Sequence, residues 1–206
     1  GSTPMPTSSS IRVRGLTPAP TSTRDRILAA AERRLRSAPL DELKLAAVAR
    51  SAGVSRQTLY EYFRDRDDLV ASVFVAQAEA RLVPRRQEII DEDPTAKGLE
   101  RVFWEDIEVS RAFFADVDPA SPVRWGVADF MLRSERMREY ERTMWRSVLE
   151  RLAGEGVLAT GLDLDAAARW LAYQQTWLVI APKAIDEDEK AIREHVRRFV
   201  IAPLLR

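Results

Sequence analysis

The sequence predicts an all-α fold, with a small N-terminal helix-turn-helix domain followed by a larger helical domain. Apolar residues recur at helical spacing through the long segments, and turn residues such as Gly53 and Pro94 separate them. No stretch shows the alternation of apolar and polar residues that a half-buried strand requires. With 46% hydrophobic residues among 206, the chain can bury a substantial core.

Three segments are predicted along the chain: a disordered tail rich in Pro, Ser and Thr over residues 1–22, a helix-turn-helix domain over 23–69, and a helical domain over 70–206. The first helix starts near Ser22 and runs towards Pro39, and Asp65 caps a fourth helix that runs towards Pro84. Later helices are predicted at about 95–117, 123–128, 129–153, 163–181 and 186–201.

Residues 44–63 have the spacing of two short helices joined by a tight turn. Leu45, Val48, Ala49 and Ala52 form one apolar face, and Gly53 can adopt the positive φ of a sharp turn. Ser55 is the predicted cap of the following helix, whose outer side carries Arg56, Gln57 and Tyr60. Arg and Gln side chains bind guanine and adenine edges in the major groove of DNA, so this helix suits that groove. The alternative is an ordinary helical hairpin whose polar face is only solvated.

The charge distribution agrees with a nucleic-acid-binding N-terminus. The whole chain is neutral, but residues 1–66 carry 12 Lys or Arg against 6 Asp or Glu, and residues 67–206 carry 20 against 26. A basic segment on an otherwise acidic protein is the electrostatic pattern expected of a DNA-binding end, although chance can also produce it.

The motif AGVSRQTLYEYF, followed by RDRDDL, resembles the N-terminal domain of the TetR family of transcriptional regulators. The resemblance implies that Arg56, Gln57 and Thr58 approach base edges or phosphates and that Tyr60 and Tyr62 hold the phosphate backbone. Arg66 replaces a phosphate-binding Lys, and Lys44 replaces a Thr or Ser but can still neutralise a phosphate. The predicted DNA-binding residues are Lys44, Ser55, Arg56, Gln57, Thr58, Tyr60, Tyr62 and Arg66.

In this family the larger domain binds a small-molecule effector, and its last two helices build a homodimer interface. Polar residues on the predicted inner helix faces, such as Asp106 and Glu141, indicate a cavity, because buried polar groups need partners. The predicted ligand-binding residues are Phe103, Trp104, Asp106, Ser110, Trp125, Met137, Tyr140, Glu141, Met144, Gln174 and Trp177.

Asp106 and Glu141 favour a cationic aromatic effector, with neutral hydrophobic ligands as the second choice. Two alternatives remain at this point: the polar groups pair with inward arginines such as Arg111 or Arg138, or the assumed helical phase is wrong.

The sequence thus predicts a homodimeric, ligand-responsive regulator, most simply a repressor that leaves a near-palindromic operator when its effector binds. An activator and an architectural protein without an effector are the alternatives. No nucleophile motif, phosphate loop or metal-ligand spacing supports an enzyme, and the absence of Cys and a lone His195 leave no expected cofactor or metal. No apolar run is long enough for a membrane helix, so a cytoplasmic location is expected.

Overall fold

A computed structural model describes residues 22–113, 122–181 and 188–206, so that, apart from Ser22, the predicted tail lies outside the described residues. This part of the chain is all-α, as predicted; its one strand-like feature is an isolated bridge between Leu158 and Leu205. The helices are α1 (Thr23–Leu35), α2 (Leu45–Ala52), α3 (Arg56–Tyr62), α4 (Arg66–Glu92), α5 (Ala96–Phe113), α6 (Pro122–Arg133), α7 (Glu135–Gly154), α8 (Leu164–Ile180) and α9 (Glu189–Val196). A π-helical turn (Arg197–Ile201) continues α9.

The helix α4 is much longer than predicted. It begins at the expected cap, where the Asp65 carboxylate accepts the Asp68 N–H at 2.8 Å, but it continues through Pro84 and ends only at Glu92. A proline inside a helix costs about 3 kcal/mol because it removes one hydrogen bond. Packing of the second half of α4 against α5 and α7, with Ile89 and Ile90 in the core, outweighs that cost.

The predicted division into helices 123–128 and 129–153 is wrong, because the break falls at Ser134. The Ser134 hydroxyl accepts the Met137 N–H at 3.4 Å and so caps α7. The Arg138 guanidinium donates to the carbonyl oxygens of Leu132 and Arg133 at 2.8 and 2.7 Å, which satisfies the end of α6. A capping serine inside a continuous apolar pattern was the signal for this boundary.

Two hydrophobic clusters share α4. The first half of α4 packs with α1, α2 and α3 around Ile27, Leu59 and Leu69, whereas Ile89 and Ile90 belong to the core of the larger domain. Phe130 and Met137, from α6 and α7, also join the N-terminal cluster. The predicted domain boundary at residue 69 or 70 therefore falls inside a continuous helix, and its position stays a prediction. Because α4 belongs to both clusters, it can transmit movement between them.

Candidate functional site

The turn between α2 and α3 has the local geometry that its sequence predicts. Gly53 adopts φ 66°, in the left-handed region, and its N–H donates to the Arg50 carbonyl at 3.2 Å. Two residues later the Ser55 hydroxyl accepts the Thr58 N–H at 3.0 Å and caps α3. Leu59 is fully buried against the N-terminal cluster, which fixes the rotation of α3 about its axis.

With Leu59 facing inward, α3 presents a polar and aromatic surface to solvent. We call this the reading face, formed by Arg56, Gln57, Thr58, Tyr60 and Tyr62. Arg56 and Gln57 are exposed and Thr58 is half-buried. Tyr60 and Tyr62 are 47% and 46% exposed, which is unusual for large aromatic side chains in a small domain. This arrangement suits insertion of a helix into the major groove with flanking contacts to phosphates.

The remaining predicted DNA contacts occupy the edges of this surface. Lys44 is exposed at the start of α2 and makes no side-chain cap there. The Ser55 hydroxyl is engaged with Thr58, so its observed role is to hold α3 in place. Arg66 donates through Nε to the Asp67 carboxylate at 3.1 Å and is half-buried. Their contacts with DNA stay predictions.

The larger domain contains a cavity of about 150 Å³ between α4, α5, α6, α7 and α8. A cavity of this size holds a benzene-sized molecule. Six of the predicted ligand-binding residues line it: Asp106, Ser110, Met137, Tyr140, Glu141 and Met144. Phe74, Leu82, Val127 and Val179 supply apolar surface, and Arg81 is the exposed residue of the lining.

The other five predicted ligand-binding residues lie outside the lining: Phe103, Trp104, Trp125, Gln174 and Trp177. Phe103 and Trp104 are buried in the core, and the Arg193 guanidinium lies 4.3 Å from the Trp104 ring. Trp125 and Trp177 are exposed, with their rings meeting edge to face at 6.2 Å. These side chains were assigned to the cavity because of helical phase alone, which does not show which of several buried neighbours an inner face meets.

A buried ion pair joins Arg86 of α4 to Asp106 of α5 at the wall of the cavity. The two residues are 4% and 3% exposed, and the Arg86 guanidinium stacks 4.8 Å from the Trp145 ring. The Gln175 amide donates to Asp106 at 3.2 Å and accepts the Trp145 indole N–H at 2.9 Å. Burial raises the pKa of Asp106, and the Arg86 guanidinium opposes that rise. Because arginine stays charged at neutral pH, ionised Asp106 is its counter-ion.

This pairing corrects the sequence-based alternatives for the polar groups. Asp106 is neutralised by an arginine, but the partner is Arg86 rather than Arg111 or Arg138. Arg111 donates to the Leu178 carbonyl at 3.2 Å and pairs with Glu189, while Arg138 caps the end of α6. Arg86 is not among the partners predicted from the sequence, because the predicted helix ends near Pro84, before Arg86.

Glu141 is the second carboxyl group of the cavity. Desolvation raises the pKa of Glu141 to about 8, against a smaller lowering by the Arg86 charge. Burial also raises the pKa of Tyr140 to about 12. At neutral pH both groups are therefore predominantly protonated and can donate hydrogen bonds. The electrostatic reason for expecting a cationic ligand is removed, because one carboxylate is paired and the other is neutral.

The raised pKa of Glu141 predicts a pH-dependent stability. The folded chain keeps a proton that the unfolded chain loses, so Glu141 lowers the free energy of unfolding as the pH rises from about 4.5 to about 8. We expect Glu141→Gln to match the wild type in Tm near pH 5 and to exceed it at pH 8.5. Thermal melts across this range check the result, with Glu139→Gln, an exposed position on α7, as control. A Tm difference that does not grow with pH at position 141 contradicts the assignment.

The predicted set lacks three lining residues that make the polar contacts described here: Gln77, Arg86 and Gln175. Arg86 precedes Ile89 and Ile90 by three and four positions. This spacing puts the three residues on one face of a helix, so it predicts that Arg86 faces the core. Gln77 had no such signal, because its partner Glu32 is 45 residues earlier in the sequence.

Comparisons with known proteins agree with the geometry of the N-terminal domain. Residues 27–73 match the family model of bacterial regulatory proteins, tetR family. No curated protein matches the chain in sequence. The matched segment contains α2, the turn and the whole reading face, and it ends within α4. The chain therefore carries the helix-turn-helix DNA-binding domain of the TetR family of bacterial regulatory proteins.

Solved structures of similar fold cover nearly the whole chain. FadR from Bacillus subtilis, in complex with stearoyl-CoA, is 17% identical, with a TM-score of 0.55 over 87% of this chain and 98% of its own. The TetR family repressor AlkX from Dietzia sp. Strain DQ12-45-1b is 19% identical, with a TM-score of 0.55 over 89% and 97%. The repressor QsdR from R. erythropolis is 18% identical, with a TM-score of 0.57 over 88% and 94%. At these identities the likeness establishes the shared all-α fold.

Membrane spans and metal sites are both absent from the described residues. Across residues 22–113, 122–181 and 188–206 no helix is long and apolar enough to cross a membrane. The same residues contain no group of three or more His, Asp or Glu side chains that could hold a metal ion. Within the described residues, the reading face and the cavity are thus the features with a recognisable binding chemistry.

Proposed function

We propose that this chain is a ligand-responsive transcriptional repressor that acts in the cytoplasm as a homodimer and has no enzymatic activity. Two reading faces enter successive major grooves of a near-palindromic DNA site, and a small molecule in the cavity lowers the affinity for that site. The observation that carries the proposal is the exposed reading face held by Gly53, Ser55 and buried Leu59.

The cavity supports a ligand-responsive regulator over an architectural protein without an effector. Its lining combines apolar surface with buried polar atoms, and it touches α4, which also packs in the DNA-binding domain. A ligand changes DNA affinity only if it binds one arrangement of the two domains better than the other. The bound ligand of FadR and the repressor function of AlkX and QsdR are compatible with this proposal.

Large exposed aromatic residues on the last helices support the homodimer. Trp170, Tyr173 and Trp177 follow one another at spacings of three and four along α8, and Phe199 is exposed in the turn after α9. We call these four residues the aromatic face. Contiguous exposed apolar surface marks an interaction site. A second copy suits it, because DNA half-sites about 34 Å apart require two reading faces on one assembly.

The DNA proposal predicts different effects at two positions of the N-terminal domain. Arg56→Ala removes a base contact, so it should cost about 1–3 kcal/mol on the cognate site and relax specificity at one position. Lys44→Ala removes a phosphate contact, so it should weaken binding to all sequences and flatten the salt dependence. Fluorescence anisotropy on a duplex selected from a random library, and on random DNA, measures both effects.

Arg133→Ala on α6 is the control for loss of a positive charge outside the reading face. It should leave the affinity for both DNAs nearly unchanged. Equal losses on cognate and random DNA for Arg56→Ala and Lys44→Ala, with no difference in salt dependence, would remove the base-reading role of Arg56. A reporter gene under the selected site then decides the sign of regulation: repression should be relieved by deletion of the regulator.

A further inference from the structure

Four side chains that line the ligand cavity carry unpaired polar atoms. Arg86 Nε and Nη1, Asp106 Oδ1, the Tyr140 hydroxyl and Gln77 Oε1 are buried and have no hydrogen-bond partner among the described residues. All four side chains line the cavity. An unpaired buried polar atom is costly, so these side chains mark the places where a bound molecule can contribute most.

These atoms form a mixed set of donors and acceptors. The two Arg86 nitrogens donate, Asp106 Oδ1 and Gln77 Oε1 accept, and the Tyr140 hydroxyl can do either. A ligand that satisfies them must offer both an acceptor, such as a carbonyl oxygen, and a donor, such as N–H or O–H. Apolar side chains also line the cavity, Phe74, Val127 and Val179 among them.

The buried charges of the cavity lining cancel. Arg86 and Asp106 neutralise each other, and Glu141 is protonated at neutral pH. A cationic head group would face the Arg86 guanidinium, and an anionic one would face the Asp106 carboxylate. Neither charge finds an unpaired buried counter-ion, since Arg81, the other charged residue of the lining, is exposed to water. A charge taken out of water without a counter-ion is costly.

We propose that the effector is a small uncharged amphiphile whose carbonyl and N–H or O–H groups bind Arg86, Asp106 and Tyr140, with its apolar part against Phe74, Val127 and Val179. The proposal rests on the ligand-responsive function proposed above. The volume of about 150 Å³ limits the enclosed part of the ligand to about the size of one six-membered ring with a substituent.

Four probes of one shape and different charge test the ligand class: benzamide, toluene, benzylamine and benzoate. Isothermal titration calorimetry on the full chain at pH 7 should show benzamide binding at least tenfold more tightly than each of the others. Toluene fills the volume but makes no hydrogen bond to the unpaired polar atoms. Protonated benzylamine and benzoate are charged, and the buried Arg86–Asp106 pair offers neither of them a free counter-ion. Equal or tighter binding of toluene, benzylamine or benzoate overturns the proposal, as does no binding of benzamide.

Two variants locate the polar contacts. Tyr140→Phe removes only the unpaired hydroxyl and should weaken benzamide binding at least fivefold, whereas Thr143→Val, which removes an exposed hydroxyl from the same helix, should leave it unchanged. Asp106→Asn removes the negative charge beside Arg86 and should raise the affinity for benzoate relative to benzamide at least tenfold. If Asp106→Asn does not fold, Tyr140→Phe decides: an effect equal to that of Thr143→Val overturns the proposal. These titrations contain no DNA, so their failure leaves the DNA-binding proposal intact.

One of the four side chains also reaches the DNA-binding domain. Gln77 Nε2 donates to Glu32 Oε2 of α1 at 2.6 Å, while Gln77 Oε1 is the unpaired acceptor at the cavity. Glu32 is only 17% exposed and also accepts from Arg36 at 2.6 Å. A single amide therefore joins the cavity wall to α1, which packs against α2 and α4 in the N-terminal cluster.

We infer, from this separate observation, that Gln77 couples ligand binding to DNA release. A ligand packed against Phe74, three positions before Gln77 on α4, displaces the amide, weakens its bond to Glu32 and shifts α1 relative to α4. Coupling between two sites is reciprocal and commonly amounts to about 5-fold to 150-fold in affinity. Gln77 is a positioning residue here, and its loss should affect coupling more than either binding event alone.

The test compares Gln77→Met with Gln87→Met, which removes the same amide from an exposed position on α4 where it bonds to Asp91. DNA affinity is measured by anisotropy without and with saturating benzamide. Benzamide should weaken DNA binding at least fivefold in the wild type and in Gln87→Met, and less than twofold in Gln77→Met. The coupling role is overturned if benzamide weakens DNA binding by Gln77→Met as much as by the wild type. It is also overturned if saturating benzamide does not weaken DNA binding by the wild type. Specific DNA binding without ligand would still support the regulator function.

Discussion

Replacing Asp106 by alanine is expected to lower the free energy of unfolding by about 3–5 kcal/mol. The substitution leaves the Arg86 guanidinium buried without a counter-ion, beside the Trp145 ring and away from water. It also removes the carboxylate that accepts the Gln175 amide. Urea denaturation at pH 7 measures the loss, and an unchanged m-value shows that the compactness of the two states is preserved.

Two controls separate a buried ion pair from a surface one. Asp129→Ala breaks an exposed pair with Arg133 on α6 and should produce no measurable loss, because water screens such pairs. The double substitution of Arg86 and Asp106 by leucine removes both charges and should recover most of the stability lost in Asp106→Ala. Equal stabilities of the two alanine variants would show that Arg86 is solvated and that the cavity wall is not dry.

The second large effect is expected at the aromatic face. Phe199→Asp replaces an aromatic residue of the proposed dimer interface by a charge, and the loss of an anchor residue from an interface costs about 2 kcal/mol or more. The dissociation constant of the dimer should therefore rise at least 30-fold. The affinity for a duplex with two half-sites should fall with it. Sedimentation velocity across a concentration series, followed by anisotropy on one-half-site and two-half-site DNA, measures both.

Leu132→Asp is the matched control, because Leu132 is an exposed apolar residue on α6, outside the aromatic face. It should leave the sedimentation and the DNA affinity unchanged. A wild type that is a monomer at micromolar concentration, or a Phe199→Asp variant that dissociates like the wild type, would contradict a dimer through α8 and the last turn of the chain. The one-half-site duplex then shows whether single chains still bind DNA.

Features that depend on neighbouring residues were predictable from the sequence. The positive φ of Gly53, the cap made by Ser55 and the inward position of Leu59 involve contacts within one or two helical turns. Local hydrogen bonds and periodicity determine such geometry, so the exposed reading face followed from the sequence before the structure was known. The resemblance of this segment then gave the family, which the match over residues 27–73 confirms.

The cavity was predicted only in part, because its contents depend on contacts between distant segments. Periodicity correctly placed Asp106 and Glu141 on inner faces, and both line the cavity. It could not show that α4 continues through Pro84 and brings Arg86 to Asp106, twenty residues further along the chain. The cationic ligand preferred from the sequence lost its support for this reason.

The sequence alone determined the helical class, the helix-turn-helix and the side of α3 that faces solvent, since these follow from propensity, capping and spacing within short segments. Tertiary structure decided which buried polar groups meet, whether they are paired, and how the cavity is joined to α1 through Gln77 and Glu32. The physical reason is that the charge state of a buried group depends on desolvation and on partners brought together only by packing.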